Sequence, residues 1–119
     1  MLRNTTSNVF SYTYLLESLK DSDYYIGYTN NLKKRLEEHK KGLSFATKSR
    51  LPFKLIYFEG CLNQKDAKRR EDYLKTTQGR RLLGLRLLEY KRQKKAFGSG
   101  SWYTGYAQKI YSGTILGTL

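Results

Sequence analysis

A few side chains in this sequence are suited to phosphodiester chemistry. Tyr14 and Tyr25 supply two phenolic hydroxyls on what read as adjacent hairpin strands. Arg35 and His39 stand four residues apart, so a helix through them carries both on one face. Glu71 is a carboxylate in an amphipathic segment whose one face also carries Ala67, Arg70 and Leu74. Breaking a phosphodiester with water needs a group to orient or deprotonate the water and a group to bind the phosphate oxygens. A metal ion usually neutralises the charge that develops. The planar fork of Arg suits phosphate, and a carboxylate suits Mg²⁺, a hard ion that keeps most of its waters. The same residues also have ordinary uses. The tyrosines could be sheet residues with satisfied hydroxyls, and Arg35 could be solvated beside Lys33 and Lys34. His39 follows two glutamates and could only trade local charge, and Glu71 could pair with Lys68 or Lys75. Spacing alone leaves both readings open.

The elements that would position these groups follow from the apolar pattern. Phe10 to Leu16 is aromatic and β-favouring, and Tyr24 to Tyr28 returns after the turn cluster Asp21-Ser22-Asp23, which predicts a hairpin. Asn30 and Asn31 can cap a helix in which Leu32 and Leu36 recur at i, i+4 through Lys40. Gly42 to Pro52 reads as a loop, and Phe53 to Glu59 as a third strand with a buried centre. Asn63 and Asp66 resemble a capping box opening a second helix. Gly79 is expected to break it, and a third, basic helix is expected from Arg80 to about Lys94, with Leu82, Leu83, Leu87 and Tyr90 inward. The order β-β-α-β-α-α favours an α+β class with a small antiparallel sheet covered by helices.

Composition bounds the partners. At 119 residues the chain fits one domain, burying roughly 65% of its unfolded surface. One Cys excludes an intrachain disulfide and Cys-based zinc sites, and one His excludes His-rich metal sites. No apolar run approaches the length of a membrane span, and the first residues lack the apolar core of a signal peptide, so a cytoplasmic protein is expected. Lys and Arg number 23 against 10 acidic residues, a net of +13 that calls for a polyanion. Sixteen of the basic residues lie between Lys41 and Lys95. Glycine shifts instead to the last 24 residues, so a boundary is placed near Lys95 and a poorly ordered Gly/Tyr-rich tail is expected over 96–119.

Several motifs in fixed order carry a resemblance. Tyr25-Ile26-Gly27 runs on as Tyr-Thr-Asn-Asn-Leu-Lys-Lys-Arg-Leu, and Tyr12-Thr13-Tyr14 stands where Gly-Ile-Tyr would stand. Tyr14 precedes Tyr25 by eleven residues, Arg35 follows Tyr25 by ten, and His39 follows Arg35 by four. Thr47-Lys48, Pro52 to Tyr57 and Ala67 to Lys75 continue the likeness, which covers about residues 9–92. In these features the chain resembles the GIY-YIG nuclease family, more narrowly its small stand-alone bacterial members.

The resemblance implies a three-stranded antiparallel sheet flanked by helices. It implies that Tyr14 helps activate the attacking water, that Tyr25 is the second active-site hydroxyl and that Arg35 holds the scissile phosphate. His39 would assist, and Glu71 would bind one divalent metal, Mg²⁺ or Mn²⁺, with no organic cofactor. Lys33, Lys34, Lys48, Arg50, Lys54, Arg70, Arg80 and Arg81, with Arg86, are the expected nucleic-acid contacts. Two departures stand out besides the tail. Tyr12 replaces the first glycine, and the Asn that many relatives carry a dozen or more residues after the metal glutamate is absent, since no Asn follows Asn63. The expected function is a metal-dependent endonuclease on DNA with a role in repair or genome maintenance. The alternative is a non-catalytic module that binds DNA or structured RNA.

Overall fold

The computed structural model describes residues 9–97. Three strands form one antiparallel sheet in the order β2-β1-β3: β1 (Ser11–Ser18), β2 (Tyr24–Thr29) and β3 (Phe53–Cys61). Helix α1 (Leu32–Lys40) follows the hairpin, and α2 (Gln64–Leu74), α3 (Thr77–Arg86) and α4 (Leu88–Phe97) follow β3. The architecture is the α+β class expected from the sequence.

The central strand divides the molecule. Along β1 alternate side chains point to opposite faces. Tyr14 and Leu16 face one way and pack with Leu32 and Leu36 of α1 and with Phe53 and Leu55. Leu15 faces the other way and packs with Ile26, Leu74, Leu83 and Leu87, the layer built by the later helices. A register shift between Leu15 and Leu16 keeps both sets inward along β3.

The helix starts follow the expected caps. The Asn31 side chain accepts the Lys34 N–H at 3.1 Å, and the Asn63 side chain accepts the Lys65 N–H at 2.8 Å. Asp66 does not reach back to complete a capping box; its carboxylate accepts from Arg69 one turn along. Two expectations need correction. Gly79 does not end a helix but lies inside α3, whose cap is Thr76. A Cβ at Gly79 would sit 2.1 Å from the Tyr73 carbonyl oxygen, so glycine is what lets α3 cross the end of α2. The single basic helix expected from Arg80 is two elements, α3 and α4, parting at Leu87. Leu83 and Leu87 are still buried, with Leu82 and Tyr90 packed against them. Helix α4 runs past the boundary placed near Lys95, and the tail expected from 96 lies outside the described residues beyond 97.

Candidate active site

The hairpin register brings Tyr14 opposite Gly27 on β2. A Cβ at Gly27 would fall 2.5 Å from the Tyr14 ring and hydroxyl. The glycine is therefore a seat for the Tyr14 ring. Tyr25, two residues earlier on β2, lies on the same face, its ring centroid 6.3 Å from that of Tyr14.

Helix α1 completes the group. Its Leu32 and Leu36 are buried against the sheet, which turns Arg35 and His39 toward the tyrosines. Tyr14 Oη and His39 Nε2 are 2.8 Å apart. The His39 ring also stands edge-on to Tyr25, centroids 5.3 Å apart. Arg35 Nε donates toward Tyr14 Oη at 3.4 Å, and its Nη1 donates to Glu38 at 2.9 Å.

Two residues of the loop after α1 hold the other sides. Thr47 Oγ1 is 2.7 Å from His39 Nδ1, and Ser44 Oγ accepts from Arg35 Nη2 at 3.3 Å. Both are buried. Sequence reasoning did not assign them a role; Thr47 was visible only as part of the motif likeness. Short hydroxyl residues in a loop carry no periodic signal, and the loop's path alone decides what they meet.

Burial sets the protonation of this group. It pushes His39 down to about 4, assisted by the positive charge of Arg35, so the imidazole is neutral at neutral pH. It pushes the Tyr14 hydroxyl well above the ordinary phenol range, against the lowering effect of the Arg35 hydrogen bond. Burial works against the charge of Arg35, but its bonds to Glu38 and Tyr14 outweigh this and raise its pKa.

Glu71 comes from α2. It sits one turn after Ala67, whose carbonyl accepts from Thr13 Oγ1 at 2.9 Å, and three residues before buried Leu74, so it lies on the inner face of the helix. Its side chain is 16% exposed and pairs with Lys75 at 3.1 Å, one of the ordinary partners expected for it. Its negative charge is also among the influences that raise Tyr14. The donor chemistry fits a hydrated hard ion held by one carboxylate. Among the described residues no group of three or more His, Cys, Asp or Glu stands together.

The expected nucleic-acid contacts divide. Lys33, Lys34, Lys48, Arg80 and Arg81 are exposed, as is Arg86. Lys54 is a correction: it is fully buried on β3, opposite Glu17 in the register, with its ammonium 4.9 Å over the Tyr90 ring. Strand alternation turns it under α4, where it cannot touch a phosphate. Burial lowers its pKa to about 8. Arg50 lies over Phe53 and pairs with Asp21 at 3.3 Å, tying the third-strand loop to the hairpin turn. Arg70 pairs with Glu59 at 2.7 Å, tying α2 to β3. Tyr12 in the first half-motif leans toward β3, against Phe58 and Gly60. The stretch Leu82 to Arg86, where an Asn would be sought, lies within α3 and turns Leu83 into the core.

Comparison with known proteins places this arrangement. A UPF0213 protein of Clostridium perfringens is 44% identical over 66 residues, 55% of this chain and 70% of that protein. A UPF0213 protein of Oceanobacillus iheyensis is 36% identical over 85 residues, 70% of this chain and 94% of that protein. One from Streptococcus pneumoniae is 36% identical over 86 residues, 61% of this chain and 86% of that protein. No solved structure matches. Among the described residues no helix is long and apolar enough to cross a membrane. The family described as the GIY-YIG catalytic domain matches residues 10–83, which span β1 to α3 and every residue of the Tyr14 group, so the chain belongs to the GIY-YIG family and carries its nuclease-type domain.

Proposed function

We propose that this protein is a metal-dependent endonuclease that hydrolyses DNA phosphodiester bonds, with a role in repair or genome maintenance. The observation that carries the reading is the contact set of buried Tyr14 and His39 with half-buried Tyr25 and Arg35, and Thr47 behind the imidazole. Arg35 binds a non-bridging oxygen of the scissile phosphate. Because its Nε lies against Tyr14 Oη, a phosphate that takes up the guanidinium uncovers the hydroxyl.

With its proton on Nδ1, neutral His39 donates to Thr47 and leaves Nε2 as an acceptor for Tyr14. Water attacks phosphorus and gives its proton to Tyr14 Oη, while the Tyr14 proton passes to His39 Nε2. The bond from phosphorus to the leaving oxygen breaks, and that oxygen takes a proton from solvent. Tyr25 orients the water. Glu71 would hold Mg²⁺ or Mn²⁺, which supplies neutralisation of charge on the phosphate. Exposed Lys33, Lys34, Lys48, Arg80 and Arg81 bind flanking phosphates.

The test is cleavage of a panel of branched, nicked, duplex and single-stranded DNA with Mg²⁺, Mn²⁺ or EDTA. Metal-dependent cutting that disappears in Glu71→Ala and Arg35→Ala is expected. Salt-dependent binding with no cutting of any substrate would overturn the enzyme in favour of a binding module.

A further inference from the structure

The loop between α1 and β3 shows solvent an aromatic side chain that neither core uses. Phe45 is 86% exposed, and Leu43, two residues before it, is 70% exposed. A single exposed apolar residue is ordinary; this pair differs in how it is mounted. Leu43 N–H bonds to Glu38 O at 2.9 Å, and Thr47 and Lys48 N–H bond back to Ser44 O at 3.2 and 3.0 Å. Gly42, at φ +75°, turns the chain out of α1 in a conformation that side chains disfavour. Phe45 therefore projects from a hydrogen-bonded turn.

That turn is the one that grips the candidate site. Ser44, adjacent to Phe45, holds Arg35, and Thr47, two residues on, holds His39. The surroundings are cationic. Lys40 and Lys41 precede the turn, and Lys48 places its ammonium 5.2 Å from the centre of the Phe45 ring. An exposed ring among lysines beside a phosphate-binding Arg matches how proteins take unpaired nucleotides: lysines follow the phosphates and the ring stacks on a base.

We infer that Phe45, supported by Leu43, is a stacking wedge for a base that is unpaired next to the scissile phosphate. The preferred substrate class is then DNA that is single-stranded or splayed at the cut, as at a flap or branch. The inference rests on the nuclease reading for the meaning of "scissile", but the wedge itself is a binding property and is tested without cleavage.

The experiment is a fluorescence-anisotropy titration in EDTA with the full chain. It compares a fluorescein-labelled flap duplex with a fully paired duplex of equal length at matched salt. Stacking of one base corresponds to roughly 5- to 150-fold in affinity. Phe45→Ala is expected to weaken flap binding by that factor and duplex binding by less than about twofold, while Phe45→Trp retains the flap preference. Thermal melting confirms that both variants fold, as expected for an exposed position. Equal losses on the two DNAs, or no loss on the flap, would overturn the wedge. Because EDTA removes catalysis, a flap preference lost in Phe45→Ala stands even if the protein cuts nothing. Cutting without a Phe45-dependent preference would sink the wedge and leave the nuclease.

Discussion

Strand β1 carries two buried polar clusters on its opposite faces, and they are built on opposite electrical plans. On the α1 face, Tyr14 meets a neutral His39, with one cation, Arg35, at the edge. On the other face, Glu17 is fully buried and accepts from Tyr90 Oη and Lys94 Nζ, with Lys54 opposite it in the register. Both clusters contain a phenol, and the two strand positions are three apart. In the Glu17 cluster, among the described residues, the negative charge is met by cations on the same chain, and the cluster ties α4 to the sheet. The Tyr14 cluster holds a proton donor, a neutral acceptor and an Arg whose ion pair with Glu38 is partly exposed on both sides, so an anion from outside can reach the guanidinium. A buried polar network that balances itself serves the fold. One that leaves a cation and a movable proton at its edge suits an anionic substrate.

The contrast can be broken from either side. The largest effect is expected from Glu17→Ala, which removes the buried carboxylate that Tyr90 and Lys94 meet. Stripping one partner from a buried pair costs ~3–5 kcal/mol, so urea unfolding should show a loss of that size. Cleavage per folded molecule should stay near wild type. If activity falls while stability holds, the two faces are not separate in role.

Arg35→Ala should act the other way, lowering cleavage by ~100- to 1,000-fold with little change in unfolding midpoint. Arg35→Lys should recover only a small part, because a point charge does not replace the fork. Single-turnover rates at saturating protein give the comparison.

Acid should separate the faces next. In the folded chain His39 titrates near 4, while an unfolded His titrates near 6.5. Between these values the unfolded chain binds a proton that the folded chain lacks. Stability from this group is therefore complete above about pH 6.5 and falls as pH drops toward 4, by on the order of 3 kcal/mol. The drop should shrink in His39→Gln, read as the difference between the two pH–stability curves. On the alkaline side, the raised Tyr14 keeps the phenol protonated, so the relay pair of protonated Tyr14 and neutral His39 is complete at pH 7 and the cleavage rate should stay level from pH 7 to about 9.

Thr47→Val should cost about 1–2 kcal/mol, from the hydroxyl lost behind His39 Nδ1. It should also shift the pH–rate profile, which a purely structural loss would not do. Smallest in its effect on DNA is Lys54→Met: it strips one cation from buried Glu17 and should lower the urea midpoint, by less than Glu17→Ala because Lys94 still meets the carboxylate. It should leave the salt dependence of DNA binding unchanged, because Lys54 is buried away from any phosphate.

Much of the fold was legible from local chemistry. The three β-favouring runs are the three strands, and Asn31 and Asn63 are the caps. The four-residue spacing of Arg35 and His39 put them on one face of α1, as it had to once Leu32 and Leu36 were buried. What was misread depended on neighbours distant in the chain. Lys54 looked like one more solvent-facing lysine in a basic chain, because the carboxylate that faces it lies 37 residues earlier on β1. Gly79 looked like a breaker, since its need for glycine comes from the backbone of the preceding helix crossing over it. Ser44 and Thr47 looked like loop residues until the fold supplied their partners, and Arg50 and Arg70, expected as DNA contacts, also carry ion pairs with Asp21 and Glu59.

By itself, then, the sequence determined the three strands, the starts of α1 and α2, and the spacing of Tyr14, Tyr25, Arg35, His39 and Glu71. Periodicity, capping and turn propensity act over a few residues and are written in the chain. Only the tertiary structure decided which basic residues face solvent, which hydroxyls hold the imidazole, and that Gly27 is the seat of the Tyr14 ring. Those outcomes depend on register and on which layer covers which face, and burial then sets the protonation of His39 and Tyr14.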